Sequence, residues 1–158
     1  MPGRMIKVDH DDTPPTERVT DRTFVCKFQS SDLHTRRVML ALRDYMISCG
    51  VDDVTLGSAE LVLAEVCNNI TEHGYPGTPG PIELKLHCHS EGLVCTVTDH
   101  GAPLPEGTPP TAPPDPPWEL PEGGFGWHII RTLTDRLTYE CAPGLNRLDL
   151  RIPTIRAN

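Results

Sequence analysis

The feature that most constrains the fold is a helical stretch at residues 60–75 in which polar side chains border an apolar face. At about 100° per residue, one side of this helix collects Ala59, Val62, Leu63, Val66 and Ile70. Such a stripe has to pack against another layer of the protein. The polar positions that follow one border of the stripe are Glu65, Asn69, Glu72 and His73. Glu65 and Asn69 are one turn apart and can reach one ligand or hydrated metal ion, although ordinary half-buried helices also carry polar borders.

Length and charge limit the classes of protein to which the chain can belong. Its 158 residues suit one domain with its own core, and its formal net charge is −8. No run of Lys or Arg is present, which argues against direct binding of nucleic acid or of an anionic membrane. Residues 1–22 contain no apolar segment, so we expect neither a signal peptide nor a membrane span.

The six cysteines are scattered, mostly inside apolar runs, and form no C-x-x-C pair. We therefore expect them to be reduced core residues of a cytoplasmic protein. On a strand, His87 and His89 would face one way and Cys88 the other, which argues against a metal site there.

The pattern along the chain predicts alternating layers of strands and helices. The predicted elements are a strand at 23–28, helices at 33–49 and 53–73, a hairpin at 82–99, a helix at 127–135 and a hairpin at 137–152. This order predicts an α+β two-layer sandwich with helices on one face of a mostly antiparallel sheet. Residues 23–153 would form the single domain, between a polar tail at 1–22 and a short tail at 154–158.

Two further features lie where this layout brings strand and helix ends together. Asp99 shares the inward face of its strand, where a lone carboxylate is costly unless a donor meets it. Gly124 and Gly126 open a helix, and free amides at such a start suit phosphate oxygens, although a plain loop-to-helix junction is common. Between them, residues 102–122 hold nine prolines in 21 positions. Such a loop fits a lid over a site, a linker or a docking segment for an SH3-like domain.

Together these residues resemble the three motifs of the GHKL (histidine kinase-like) ATPases. The motifs are E-x-x-x-N-x-x-x-H-G-Y from Glu65, D-x-G from Asp99 and G-x-G from Gly124. They match the family's N, G1 and G2 boxes in order, and the similarity covers about residues 24–152. Within the superfamily the chain resembles in particular the bacterial anti-sigma-factor serine kinases. The resemblance implies the Bergerat (histidine kinase-like ATPase) fold, with ATP and Mg²⁺ as cofactors.

The resemblance also implies a role for each matching residue. Glu65 would be the general base, Asn69 would hold the Mg²⁺ that bridges the ATP phosphates, and Asp99 would accept the adenine amino group. The loop at 102–122 would be the ATP lid. The remaining nucleotide contacts would come from His73, Gly101, Gly124 and Gly126. Gly101 would let the backbone approach the base, and Gly124 and Gly126 would present amides to the phosphates. His73 could also simply cap the helix or pack there.

Two positions depart from the family pattern. Pro103 stands where the G1 box usually has a second glycine, and Trp127 replaces the usual small aliphatic residue after the G2 box. The first change stiffens the lid hinge, and the second could crowd the pocket. Neither removes the base or the metal ligand, so we expect ATP binding, and phosphoryl transfer is the open question.

The sequence supports two main hypotheses of function. The first is an anti-sigma factor and serine/threonine protein kinase that phosphorylates an anti-sigma-factor antagonist of the STAS type and alternately sequesters a sigma factor. The alternative is an ATP-sensing anti-sigma module without kinase activity. A third, the ATPase half of a histidine kinase, has little support because no upstream H-box helix is visible. The resemblance also implies a homodimer, with the first helix or strand as its interface.

Overall fold

The computed structural model describes residues 13–20, 23–111 and 124–154, which form a six-stranded sheet with helices packed on one face. The strands are β1 (Thr16–Thr20), β2 (Thr23–Gln29), β3 (Pro81–His89), β4 (Gly92–Asp99), β5 (Arg136–Ala142) and β6 (Leu145–Pro153). The α-helices are α1 (Asp32–Ser48), α2 (Asp53–Asn69) and α3 (Gly124–Leu133). The sheet order is β1-β2-β3-β4-β6-β5 with every neighbouring pair antiparallel. The predicted α+β two-layer architecture is confirmed.

Local hydrogen bonds set where the first two helices begin. The Ser31 side chain accepts a hydrogen bond from the His34 amide at 3.1 Å, and Asp52 accepts one from the Thr55 amide at 2.8 Å. Both are N-caps that satisfy a free amide of the first turn. The hydrogen bonds from Thr55 hold the pKa of the Asp52 carboxyl below its usual value. Between the helices, Gly50 adopts φ +76°, which lets the chain leave α1 and enter α2.

The core lies between the helices and one face of the sheet. On α2, the predicted stripe is buried at Ala59, Val62, Leu63 and Val66, and Ile70 packs at its edge. On the strands, alternation places Leu84, Leu86, Cys95 and Val97 inward, as predicted. No helix in the described ranges is long and apolar enough to cross a membrane.

The cysteines fall into buried and exposed groups. Cys26, Cys67 and Cys95 are buried in the core as free thiols. Burial raises the pKa of Cys26 and of Cys67 to about 12, so both are protonated at neutral pH. Cys49 and Cys141 are exposed, so the expectation of core residues is wrong for these two.

The N-terminal region requires a correction. The sequence predicts a polar tail through residue 22, but Thr16–Thr20 form β1, which pairs with β2 from Thr16 opposite Lys27 to Thr20 opposite Thr23. An edge strand is held by backbone hydrogen bonds and needs no apolar alternation, so its pattern is weak. The predicted tails at 1–12 and 155–158 lie outside the described residues.

Candidate functional site

A cavity of about 570 Å³ opens between the end of α2, the end of β4 and the loop after β4. A cavity of this volume suits a small-molecule ligand. Three of the predicted site residues, Asn69, His73 and Asp99, line it. The wall between these polar groups is apolar and is formed by Val66, Ile70, Leu104, Trp127 and Leu148.

Asn69 presents an unsatisfied polar group to this cavity. The residue ends α2 and is 7 % exposed, and its Nδ2 atom has no hydrogen-bond partner among the described residues. A buried amide without a partner costs free energy, so its position beside a cavity indicates a ligand. Because the two ends of a carboxamide can exchange by rotation, the side chain can present either its oxygen or its nitrogen.

The chain changes conformation directly after Asn69. The sequence predicts one continuous helix to about residue 73, but Ile70–Gly74 form a π-helical turn in which the Tyr75 amide bonds the Ile70 carbonyl at 3.0 Å. Turns of this kind are frequent at functional sites because they re-aim side chains. Here the turn carries His73 to the cavity rim, where its side chain is 53 % exposed.

Glu65 lies one turn before Asn69, is half-buried and does not line the cavity. It meets α3 at Gly126, where an added Cβ would lie 2.5 Å from Glu65 Oε2 and 3.7 Å from Asn69 Nδ2. A side chain at Gly126 would therefore occupy the space of these two polar groups. The predicted base and the predicted metal ligand thus meet one glycine of the G2 motif. Gly124 is the first residue of α3.

Asp99 ends β4 and is 7 % exposed. Its Oδ1 atom accepts hydrogen bonds from the Gly101 amide and from Asn146 Nδ2, both at 2.9 Å. The protein itself therefore supplies hydrogen-bond donors to one of the two oxygens of this inward carboxylate. Asn146 was not predicted as a site residue, although it shares one face of β6 with Leu148 and Leu150, and a polar residue on an apolar face was the available signal.

Gly101 makes a close backbone contact. A Cβ at this position would lie 2.6 Å from the carbonyl carbon of Gly74, and the Ala102 amide donates to the Gly74 carbonyl at 2.8 Å. The absence of a side chain at Gly101 therefore lets the start of the loop lie against the π-helical turn, where the Ala102 amide forms its hydrogen bond. Its expected role beside a nucleobase stays a prediction.

Tyr75 and His100 join the same two segments from the side. The Tyr75 hydroxyl donates to the Pro81 carbonyl at 2.8 Å and accepts from the His100 amide at 2.7 Å. Burial raises the pKa of Tyr75, so the hydroxyl keeps the proton that it donates. The last residue of the N motif thus supports the strand end that carries Asp99.

The first half of the proline-rich loop lies against the cavity, where residues 102–106 and 108–111 form part of the wall. Arg131 of α3 donates from Nε to the Pro110 carbonyl at 2.6 Å and from a terminal nitrogen to the Pro109 carbonyl at 3.0 Å. The Tyr139 hydroxyl accepts from the Leu104 amide at 3.0 Å. The loop is thus fastened at both ends of its described part, and residues 112–122 of the predicted lid lie outside the described residues.

The two departures from the family pattern both lie in the cavity wall. Pro103 lines the cavity, and Trp127 lines it while packing into the hydrophobic core with 7 % exposure. Trp127 therefore shapes the wall and leaves the cavity open beside it.

Histidine and cysteine side chains on β3 make other contacts. His87 Nδ1 is 2.9 Å from the Thr23 hydroxyl, and the rings of His87 and His89 lie with their centroids 4.2 Å apart and their planes tilted by 51°. Within the described ranges, no group of three or more His, Cys, Asp or Glu side chains is arranged to hold a metal ion. A metal in the cavity would therefore need ligands from elsewhere, such as a carboxamide, phosphates and water.

Comparison with known proteins identifies the class of protein that this fold and site define. Residues 28–152 match the family model of the histidine kinase-like ATPase domain, so the chain belongs to that family. This confirms the family resemblance and indicates a nucleotide as the ligand.

Two relatives refine this assignment. The chain is 30 % identical over 83 residues to the serine-protein kinase RsbW of Halalkalibacterium halodurans, which covers 49 % of this chain and 51 % of that protein. The match therefore spans about half the length of that curated relative. The chain also resembles the structure of the RsbU and RsbW domains of Rv1364c from Mycobacterium tuberculosis, with a TM-score of 0.59 and 17 % identity over 92 % of this chain and 34 % of the other. The second likeness confirms the fold.

Proposed function

We propose that this protein is an ATP-binding anti-sigma factor and serine/threonine protein kinase that phosphorylates an anti-sigma-factor antagonist in a partner-switching pathway. The observation that carries the proposal is the buried Nδ2 atom of Asn69, which has no partner among the described residues and borders a cavity whose wall also holds Asp99. Similarity to a serine-protein kinase supplies the reaction class. A sigma factor and a STAS-type antagonist are the proposed partners.

The cavity suits a nucleotide because its polar groups are separated by apolar wall. Asp99 would accept the amino group of adenine, while the apolar side chains, Trp127 among them, would cover the faces of the base. Asn69 and the amide-rich start of α3, with Gly124 and Gly126, would lie toward the phosphates. His73 at the rim would add a polar contact, and the loop over the cavity would be the ATP lid.

Asn69 is the residue that would hold Mg²⁺. Its buried Nδ2 atom has no partner among the described residues, and rotation of the carboxamide would put the oxygen, the kind of ligand that Mg²⁺ takes together with phosphates and water, in its place. When bound, this ion neutralises phosphate charge and orients the transferred group.

Glu65 would accept the proton of the attacking serine or threonine hydroxyl. It is one turn from Asn69 and touches the G2 glycine, so its carboxylate is held where α2 and α3 meet. The hydroxyl oxygen would then attack the terminal phosphorus, and the bond from that phosphorus to the oxygen bridging it to the β-phosphate would break, so that ADP leaves with this oxygen. The amides of Gly124 and Gly126 would stabilise charge on the phosphates.

The proposal is tested by Glu65→Ala, assayed for transfer of labelled phosphate from ATP to candidate antagonist proteins. We expect nucleotide binding to persist while transfer falls about a hundredfold or more, because only the proton acceptor is lost. The matched control is Glu60→Ala on the same helix, where Glu60 forms a surface ion pair with Arg43 at 2.9 Å. Transfer at the normal rate in Glu65→Ala would contradict the assignment of the base.

A second candidate function is an ATP-sensing anti-sigma module without kinase activity. Two observations favour this alternative: Pro103 stiffens the hinge of the loop, and hydrogen bonds fasten the loop to Arg131 and Tyr139. Repeated transfer requires the lid to open and close so that nucleotide can enter and leave. ATP binding with no label on any antagonist would support this alternative.

A homodimer is also proposed. The outer side of α1 exposes Leu33, Leu40 and Ile47, seven residues apart and each more than half exposed. Such a stripe on a helix is suited to packing against a second helix.

A further inference from the structure

Two cysteine side chains meet in a second cavity, at the opposite end of α2 from the first. This cavity, of about 330 Å³, lies between the end of α1, the start of α2 and the turn that joins β3 to β4. Cys49 directly follows α1 and is exposed, whereas Cys88 lies on β3 and is half-buried. Both residues line the cavity, so thiols from two different layers of the fold share one open space.

The two thiols interact with each other and with Tyr45 of α1. Burial and then the interaction with the Cys49 thiol raise the pKa of Cys88, and burial followed by interactions with both thiols raises the pKa of Tyr45. Cys88 is therefore a protonated thiol at neutral pH, held beside Cys49. Because Cys49 is exposed, it is the member of the pair that a solute can reach.

The chain next to Cys49 has space in which to adjust. The sulfurs of a disulfide are about 2 Å apart, which is closer than two thiols in van der Waals contact. Gly50 follows Cys49 with φ +76°, and no atom lies within 4 Å of a Cβ placed there. The end of α1 can therefore shift enough for the two sulfurs to form a bond.

The other cysteines do not combine exposure with this placement. Cys26, Cys67 and Cys95 are at most 1 % exposed, so a solute does not reach them in the folded protein. Cys141 is exposed on β5, but β4 and β6 separate this strand from β3. Cys49 and Cys88 are therefore the pair best placed to react with each other.

We propose that Cys49 and Cys88 are a redox modification site, at which hydrogen peroxide converts the two thiols into a reversible disulfide between the end of α1 and β3. The Cys49 sulfur first attacks one peroxide oxygen, the O–O bond breaks, and the thiol proton leaves with the other oxygen as water. The Cys88 sulfur then attacks the sulfur of the resulting sulfenic acid, the S–O bond breaks, and the Cys88 proton leaves in a second water. The two thiols lose two electrons and the peroxide gains them. A small thiol restores both cysteines by thiol–disulfide exchange.

The disulfide closes a covalent ring of residues 49–88. This ring contains the whole of α2 and the π-helical turn, and with them Glu65 and Asn69. A ring restricts the unfolded chain and thereby stabilises the fold, so oxidation clamps the helical layer to the sheet. The inference requires no nucleotide and is independent of the proposed function.

The test treats the full chain with hydrogen peroxide and maps its cysteines by mass spectrometry of unreduced peptides. We expect a linked pair of peptides that contain Cys49 and Cys88, lighter than the two separate peptides by two hydrogen atoms. The number of free thiols in the denatured protein should fall from six to four, because one disulfide uses two, and dithiothreitol should restore all six. The melting temperature should rise by about 5 °C on oxidation. An unchanged melting temperature in the linked protein would overturn the clamp.

Three serine variants identify the roles of the thiols. Cys49→Ser should lose both the link and the rise in melting temperature, and it serves if Cys88→Ser fails to fold, because Cys49 is exposed. Cys88→Ser leaves the sulfenic acid of Cys49 without its partner, so dimedone should label Cys49. Cys141→Ser, at the other exposed cysteine, is the matched control and should keep the link.

Three results would overturn the inference. They are six free thiols that survive peroxide, wild-type protein in which Cys49 becomes a sulfinic acid without a link to Cys88, and a disulfide in which Cys49 joins two molecules. Nucleotide binding is measured separately on the reduced protein, so its failure would overturn the proposed function and leave this inference standing.

Discussion

The two polar ends of the cavity differ in how completely folding satisfies them. At the Asp99 end, one carboxylate oxygen has two donors at 2.9 Å, and the backbone of the following loop is bonded to Gly74 at 2.8 Å. At the Asn69 end, a buried carboxamide nitrogen has no partner among the described residues, and the chain continues as a π turn. The Asp99 end is therefore held by hydrogen bonds within the fold, whereas the Asn69 end presents a polar group that is available to a ligand.

This difference indicates that the two ends of the cavity contribute to ligand binding in different ways. A rigid, hydrogen-bonded group fixes the orientation of a ligand because it does not reorganise on binding. An unsatisfied group is held at a cost to stability, and that cost is recovered when a partner arrives. The Asp99 end is thus suited to recognising the base, and the Asn69 end to responding to what the nucleotide carries.

The largest expected effect on stability comes from replacing the glycine at each end of the cavity, Gly101 beside Asp99 and Gly126 beside Asn69. In Gly101→Ala the new methyl group would meet the backbone of Gly74, whereas in Gly126→Ala it would meet the far end of the Glu65 side chain. Backbone cannot move aside as a flexible carboxylate can, so we expect Gly101→Ala to lower the free energy of unfolding by about 3 kcal/mol and Gly126→Ala by about 1 kcal/mol. Denaturant unfolding of the two variants measures both values.

The control for this pair is Gly57→Ala, because no atom lies within 4 Å of a Cβ at that position of α2. This variant should be as stable as the wild type or more stable, since alanine favours helix. If Gly101→Ala and Gly126→Ala lowered the free energy of unfolding equally, the Asp99 end would not be more rigid than the Asn69 end.

The architecture was predictable because its strongest elements carry clear periodicity. Alternation on β3 and β4 and the apolar stripe of α2 predict which side chains are buried, and the structure buries Leu84, Leu86 and Val66 accordingly. β1 was missed because Thr16–Thr20 is a short, mostly polar edge strand whose sequence shows no apolar alternation. The π turn at Ile70–Gly74 was missed because apolar periodicity does not distinguish its hydrogen bonds from those of a continuing α-helix.

The site was predictable where a motif marks it and not where distant segments meet. The motif residues Asn69 and Asp99 do line one cavity. The partners Asn146 and Asp99 are 47 residues apart, and Leu104 and Tyr139 are 35 residues apart. Such pairs follow from strand register and loop path, which sequence periodicity does not specify.

The second prediction concerns the unsatisfied end directly. Asn69→Ala removes a buried amide nitrogen that has no partner among the described residues, so we expect the ligand-free variant to be as stable as the wild type or more stable by up to about 1 kcal/mol. Stabilisation by MgATP should be largely lost, where the wild type at about a hundred times its Kd gains about 2.7 kcal/mol. Thermal denaturation with and without MgATP measures both effects.

Asn68→Ala is the matched control, since Asn68 is the neighbouring exposed residue of the same helix. It should change neither the stability nor the response to MgATP. A loss of several kcal/mol in ligand-free Asn69→Ala would mean that this carboxamide is satisfied by the fold, and the contrast between the two ends would disappear.

The smallest expected effect concerns the loop that spans the cavity between these ends. Arg131→Gln removes the forked donor that holds the carbonyls of Pro109 and Pro110, while Tyr139 still holds Leu104. Because the contact is near the surface, we expect global stability to fall by less than about 1 kcal/mol, with faster hydrogen exchange at the amides of residues 106–108 and 111. Arg136→Gln, a change at an exposed arginine of β5, is the control.

Hydrogen exchange in the loop that stays slow in Arg131→Gln would show that Arg131 does not fasten the loop. Faster exchange at Gly101 and Asn146 as well would show that the Asp99 end depends on the loop and is not fixed by folding alone.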